Sequence, residues 1–161
     1  MGHSQADKVQ THERIVEIAA RRMREQGLEG VGVAELMKEA GLTVGGFYKH
    51  FASRDALVAE AMQATFEASN AQSEAKLGKR GIRRSIEDYL APSHRDGVGT
   101  GCSFSALSSD LARSDDKTRS LASAQLQKTF ARYARELGGV QNPEAREKAI
   151  LSFSAMVGAV A

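Results

Sequence analysis

Tryptophan is absent from the 161 residues, cysteine occurs once, at Cys102, and proline twice, at Pro92 and Pro143. A lone cysteine excludes an internal disulfide and any zinc site built on cysteine clusters, so no metal and no cofactor is expected. With so little proline, long helices run without interruption. No stretch approaches the roughly 20 consecutive apolar residues of a membrane span, so no membrane association is expected. The N-terminal Met1-Gly2-His3-Ser4-Gln5 is polar and no apolar run follows it. A secretory signal is therefore not expected, and the expected location is cytoplasmic. What the chain does have is alanine, leucine, glutamate, arginine, lysine and methionine, which lose little rotamer freedom in helices. With 42% hydrophobic residues it has enough to bury a core. The fold class expected is all-α.

An excess of one charge is also lacking, since the net charge is only +2. Residues 1–60 carry 8 basic and 9 acidic side chains, the remainder 14 and 11. Whole-domain charge thus gives no basic face of the kind nucleic-acid binders often show. One local window differs. From Ala40 to Arg54 there is no acid, while Lys49, His50 and Arg54 are present.

Periodicity divides the chain into helices. Residues 1–10 are polar and expected to fray. Thr11 is the expected N-cap of a helix carrying Ile15, Ile18, Ala19 and Met23 on one face, stopped at Gly27. A second helix of about eight residues places Val33, Leu36, Met37 and Ala40 inward and ends at Gly41. Thr43 is the expected cap of a third short helix anchored by Phe47 and Phe51. Ser53 caps a long helix from Arg54 to about Leu77. A break is expected over Gly78-Lys79-Arg80-Gly81, then a short helix from Ile82 to Leu90, and a loop from Pro92 to Gly101. Further helices are expected over Ser103 to Leu111 and about Asp115 to Leu137. The last starts at Asn142-Pro143-Glu144, which combines an N-cap, a first-turn proline and an acid.

The informative stretch is Val33 to Phe51. Two helices joined by a tight Gly41-Leu42-Thr43 turn make a helix-turn-helix, whose second helix enters the DNA major groove while the first crosses the backbone. The segment Ala40-Gly41-Leu42-Thr43-Val44-Gly45-Gly46-Phe47-Tyr48-Lys49-His50-Phe51, followed by Ser53-Arg54-Asp55-Ala56-Leu57, closely resembles the DNA-binding domain of TetR-type repressors. The Ile15-to-Gly27 helix, ending Glu25-Gln26-Gly27, resembles it too. The likeness covers roughly residues 10–60. Beyond that only the all-helical layout is shared.

The resemblance implies a three-helix DNA-binding head over residues 1–52 and a helical ligand-sensing and dimerisation body over 53–161. It implies that Thr43, Tyr48 and His50 contact phosphates, and that Arg54 clamps the DNA backbone. Val44, Gly45 and Lys49 are then the candidates for base edges, Val44 against a thymine methyl and Lys49 against guanine or a phosphate. The partners implied are a double-stranded palindromic operator, a small-molecule effector and a second copy of the chain. The function expected is that of a ligand-responsive regulator, a repressor released by its effector, and not an enzyme. Two departures stand out. Gly32 occupies a position where relatives commonly carry a capping Ser or Thr. Gly45-Gly46 costs about 1 kcal/mol per glycine within a helix. That pair reads equally as close backbone approach to DNA or as incidental.

Other features stay open at this level. Cys102 follows Gly99-Thr100-Gly101 and precedes a helix, with His94 and Arg95 close in sequence. It is a candidate sensor of electrophiles or oxidants, since thiols at helix N-termini are more reactive than free ones. Otherwise it is a small buried hydrophobe, and a catalytic nucleophile partnered by His94 is the remoter alternative. Phe66, Phe104, Phe130 and Tyr133, with Met62, Leu107, Leu111, Phe153 and Met156, are core residues from which a ligand cavity would be lined. Lys76, Lys79, Arg80, Arg83 and Arg84 read as a solvated face in preference to a second nucleic-acid site. The last helix, Ala149 to Ala161, is rich in small apolar residues. Relatives dimerise through their last two helices, and the final one is not evident here, so the C-terminus is expected to be incomplete. A helical ligand-binding module that does not bind DNA is the alternative to the regulator.

Overall fold

Ile15, Val16, Ala19, Ala20 and Met23 repeat at helical spacing and form the buried stripe of α1, Gln5–Gln26. The chain is described by a computed structural model over residues 5–161, the side chains of 76–80 excepted. Residues 5–10 are helical, so Thr11 lies inside α1 and is not its cap. The reason is local. No glycine or proline interrupts residues 5–14, and Asp7 in the first turn complements the helix dipole. α1 ends at Gln26, before Gly27 at φ 79°, and a 3-10 turn, Leu28–Gly30, follows.

α2, Val33–Glu39, is short and buries Leu36 and Met37. Gly41 then reverses the chain at φ 70°, a conformation costly for any residue with a Cβ. The next element, Val44–Lys49, is a 3-10 helix and not the α-helix expected. Thr43 does not cap it with its side chain. Its carbonyl instead accepts from the Gly46 N–H at 2.9 Å. Two adjacent glycines weaken α-helical winding here, and the i→i+3 pattern takes over. Ser53 does cap α3, Arg54–Tyr89, its hydroxyl accepting from Ala56 N–H at 3.1 Å.

The break expected within α3 is a kink at Gly81, with φ 72° and ψ 170°; Gly78, Lys79 and Arg80 lie outside the described side chains. Pro92 starts α4, Pro92–Asp96, and a 3-10 turn follows over Val98–Thr100. The segment expected as a loop is thus largely wound, because a proline is tolerated in a first helical turn. α5 spans Ser103–Arg113, α6 Asp116–Glu136 and α7 Pro143–Val160. Asn142 caps α7 by accepting from Glu144 N–H at 3.0 Å.

One apolar core joins α1, α2, Phe47, Phe51 and the first half of α3 to Leu107, Leu111 and Ala122 of α5 and α6. A second, around Phe153 and Tyr133, joins α6 and α7. Phe104 packs against both. Among the described residues, no helix is long and apolar enough to cross a membrane.

Candidate functional site

Phe47 and Phe51 fix the 3-10 element to the core, with ring centroids 5.5 Å apart. Anchored on that side, it presents Thr43, Val44, Gly45, Tyr48 and Lys49 to solvent. Tyr48 is 71% exposed and Val44 49%, large side chains for which the fold provides no cover. Gly45 and Tyr48 are three residues apart and so lie on one edge of a 3-10 helix. No atom lies within 4 Å of where a Gly45 Cβ would be. Thr43, Val44, Gly45, Tyr48 and Lys49 are therefore all open to solvent on one short element, with Gly45 and Tyr48 sharing an edge.

His50 is half-buried beside that face. Its ring lies 5.9 Å from His12 of α1, which stacks on Phe51 at 4.4 Å and meets Glu60 Oε1 at 2.5 Å. His50 Nδ1 is buried without a hydrogen-bond partner. Burial, then the charges of His12, Lys8 and Lys49, hold the His50 pKa below its ordinary value. Lys8 lies in the segment expected to fray, and His12 meets His50 and Phe51 only once α1 packs against them.

Arg54 is placed differently from the other candidates. Its guanidinium donates to the carbonyls of Val31, at 3.0 Å, and Leu28, and meets Glu29 and Asp55 at 3.5 Å. It thereby ties the start of α3 to the connection between α1 and α2. The acids of this region are also engaged elsewhere. Glu39 bridges Arg21 and Arg22, the latter at 3.1 Å, and Glu25 pairs with Arg21 at 2.6 Å. Of the second basic cluster, Arg83 and Arg84 pair with Glu87 and Asp88 at 3.2–3.3 Å. Lys76, Lys79 and Arg80 fall outside the described side chains.

A cavity of about 690 Å³ lies among α1, α3, α5, α6 and α7. Phe66, Cys102, Phe104 and Tyr133 line it, as does Phe153. Phe130 does not; it packs on Phe153 at 6.1 Å within the second core. Met62, Leu107, Leu111 and Met156 are buried core. Cys102 immediately precedes α5, near Tyr89, whose hydroxyl shares a 2.9 Å hydrogen bond with Ser105. Burial, reinforced by the Cys102 thiol, keeps the Tyr89 phenol protonated far above its usual range, and burial raises Tyr133 as well.

The cavity wall also holds polar groups that the sequence reading missed: Arg24, Gln125, Thr129 and Arg132. Gln125, Thr129 and Arg132 recur at i, i+4 and i+7 on the inward face of α6, and all are buried. A polar stripe where the helical period places core was the available signal.

Two hydrogen bonds tie α1 and the turn after it to the elements beyond α3. Arg24 Nε donates to Gly99 O at 2.6 Å, and Leu28 N–H donates to an Asp110 carboxylate oxygen at 3.1 Å. α1 itself supplies Val16, Ala20 and Arg24 to the cavity wall.

Residues 15–61 match the sequence profile of bacterial regulatory proteins of the tetR family. No curated protein matches the sequence. Among solved structures, the chain is similar to the reduced form of Escherichia coli NemR (TM-score 0.76, 21% identity), over 94% of this chain and 85% of that one. It is similar to a TetR-family regulator from Cytophaga hutchinsonii (TM-score 0.76, 17% identity), over 98% and 84% of the two chains. A third is a TetR-family regulator from Streptomyces coelicolor (TM-score 0.72, 22% identity), covering 94% and 85%. Residues 15–61 thus carry the sequence pattern of the tetR family of bacterial regulatory proteins, and the whole chain has the fold of TetR-family transcriptional regulators.

Proposed function

We propose that this regulator binds a palindromic DNA operator as a homodimer, represses transcription, and is released by a small molecule held in the body cavity. Residues 1–52 act as the head and 53–161 as the body. The observation that carries this reading is the exposure of Thr43, Val44, Gly45, Tyr48 and Lys49 on one short element that Phe47 and Phe51 anchor to the core. Thr43, Tyr48 and His50 take phosphates, Val44 and Gly45 approach base edges, and Lys49 meets guanine or a phosphate. Arg54 serves by setting the junction between α3 and the α1–α2 connection.

Dimerisation is assigned to α7. Ile150, Leu151, Ala155, Gly158 and Ala159 are exposed on it, and Leu151 is 71% exposed. A helix face this apolar buries itself against a partner. Two heads spaced by about one DNA turn, roughly 34–36 Å, then meet two half-sites. Effector coupling is supported by α1, which belongs to the head yet lines the cavity and carries the Arg24–Gly99 contact. Cys102 belongs to the same cavity wall, where an electrophile entering the cavity would meet it.

Fluorescence anisotropy on a labelled duplex pool at two salt concentrations tests the DNA face. Wild type should bind, with affinity falling as salt rises. Tyr48→Ala and Lys49→Ala should each weaken binding, and the lysine variant should lower the salt slope by about one. Equal binding by the wild type and both variants would remove the basis for this reading.

A further inference from the structure

The polar end of the cavity is built around one arginine. Arg132 is only 6% exposed, and among the described residues no carboxylate pairs with it. One terminal nitrogen, Nη1, donates to Asn70 Oδ1 at 2.8 Å. The same oxygen accepts from Gln125 Nε2 at 2.7 Å, and Asn70 returns a 3.0 Å bond to Gln125 Oε1. Thr129 donates to the Gln125 carbonyl at 3.0 Å. These bonds hold one terminal nitrogen of the guanidinium and fill both acceptor positions of Asn70 Oδ1. The Arg132 Nε–H remains buried with no acceptor.

An unsatisfied buried donor is destabilising, and more so on a charged group. Arginine stays protonated in proteins, so the charge does not vanish to relieve it. Burial does oppose it, holding the Arg132 pKa below its ordinary value, and Arg24 is shifted in the same direction for the same reason. Arg24 also lines the cavity and spends its donors on neutral oxygens, Gly99 O and Thr65 Oγ1. Of the acids on the cavity wall, Asp88 meets Arg84 at 3.2 Å and Glu17 is exposed. Glu74 favours the Arg132 charge and Glu25 the Arg24 charge, but neither forms an ion pair with it, and in both cases burial outweighs the carboxylate. Five aromatic rings, of Phe66, Tyr89, Phe104, Tyr133 and Phe153, share the wall with small and polar residues.

We propose that the cavity ligand is an organic carboxylate with an apolar, ring-bearing body, its carboxylate received by the Arg132 guanidinium. Nη1 is directed to the neutral Asn70 amide, and a carboxylate is the acceptor that a guanidinium binds most strongly. The tyrosine hydroxyls stay neutral and impose no opposing charge. The aromatic rings take the body of the ligand, and the volume suits a drug-sized molecule. This assignment rests on the reading of the cavity as an effector site.

Isothermal titration calorimetry on the full chain tests it, using arylalkanoates of graded length (phenylacetate, 3-phenylpropionate, 4-phenylbutyrate, indole-3-acetate) beside their primary amides. At least one carboxylate should bind about tenfold or more tighter than its matched amide. Arg132→Gln should abolish that preference, and Arg132→Lys should retain part of it. Thermal melting checks that the variants fold, while the acid–amide comparison within the wild type needs no variant at all. Amides binding as well as or better than the acids would overturn the proposal and leave the effector cavity standing. Binding by neither class would overturn both. A wild-type preference for acids that survives unchanged in a folded Arg132→Gln protein would overturn the role of Arg132.

Discussion

At Gly45 a missing side chain and an open surface coincide. A Cβ there would meet nothing within 4 Å in the protein, so the glycine is not required by internal packing. Its neighbours Val44, Tyr48 and Lys49 are all exposed. Gly45→Ala should therefore stabilise the chain by up to about 1 kcal/mol, through helix propensity and a less flexible unfolded state. It should weaken DNA binding if backbone approach is what the glycine serves. Urea denaturation and duplex titration on the same preparation separate the two readings. Unchanged DNA affinity with higher stability would mean that the glycine is incidental. His50 adds a pH dependence. Its folded pKa lies below the unfolded value of about 6.5, so the unfolded chain binds the extra proton first. Its contribution to stability is full above about pH 6.5 and is lost as pH falls through the folded value. Wild type should lose more stability than His50→Gln between pH 7 and pH 5, measured by urea midpoint. Parallel losses would refute the assignment.

Among elements, the junction between α3 and the turn after α1 depends on Arg54. The Val31 and Leu28 carbonyls both accept from its guanidinium. Arg54→Ala should destabilise the chain by about 1–3 kcal/mol, as expected for losing charge-assisted bonds that are partly buried. Its effect on DNA should appear as a uniform loss of affinity across sequences. A variant as stable as wild type but defective on DNA would instead place Arg54 on the phosphate backbone. Most elements were legible because their signals are local: the apolar period of α1, the caps at Ser53 and Asn142, and the glycine turn at Gly41. Three details were not. Thr11 is a good capping residue, yet nothing before it breaks the helix, so α1 begins earlier. Gly45-Gly46 announces poor α-helix, but which tighter winding results depends on Phe47 and Phe51 docking. The 92–101 segment, with its three glycines, hides a proline-initiated turn of helix. Of the site, the exposed cluster Thr43 to Lys49 was readable from the motif. The Arg132–Asn70–Gln125 network was not, since Asn70 and Arg132 are 62 residues apart and their pairing exists only once α3 and α6 pack.

For the molecule as a whole, the proposed activity needs two heads held at one spacing. Leu151 stands 71% exposed on α7, among small residues that leave a flat apolar face. Leu151→Glu should shift the chain to monomer in sedimentation equilibrium with its helix content unchanged, and should weaken operator binding through loss of the second half-site. A variant that remains dimeric would move the interface elsewhere. Ligand and operator should also be reciprocally coupled: whatever factor a ligand takes from DNA affinity, DNA must take from ligand affinity. α1 is the element on which both sites bear. The account as a whole turns on sequence-specific binding by paired heads, and selection from a randomised duplex pool, with sequencing at low and moderate salt, measures that directly. It predicts enrichment of a palindrome whose half-sites lie about one helical turn apart, retained less as salt rises. A dimeric preparation that enriches no sequence at either salt would contradict it and leave a helical ligand-binding protein in its place.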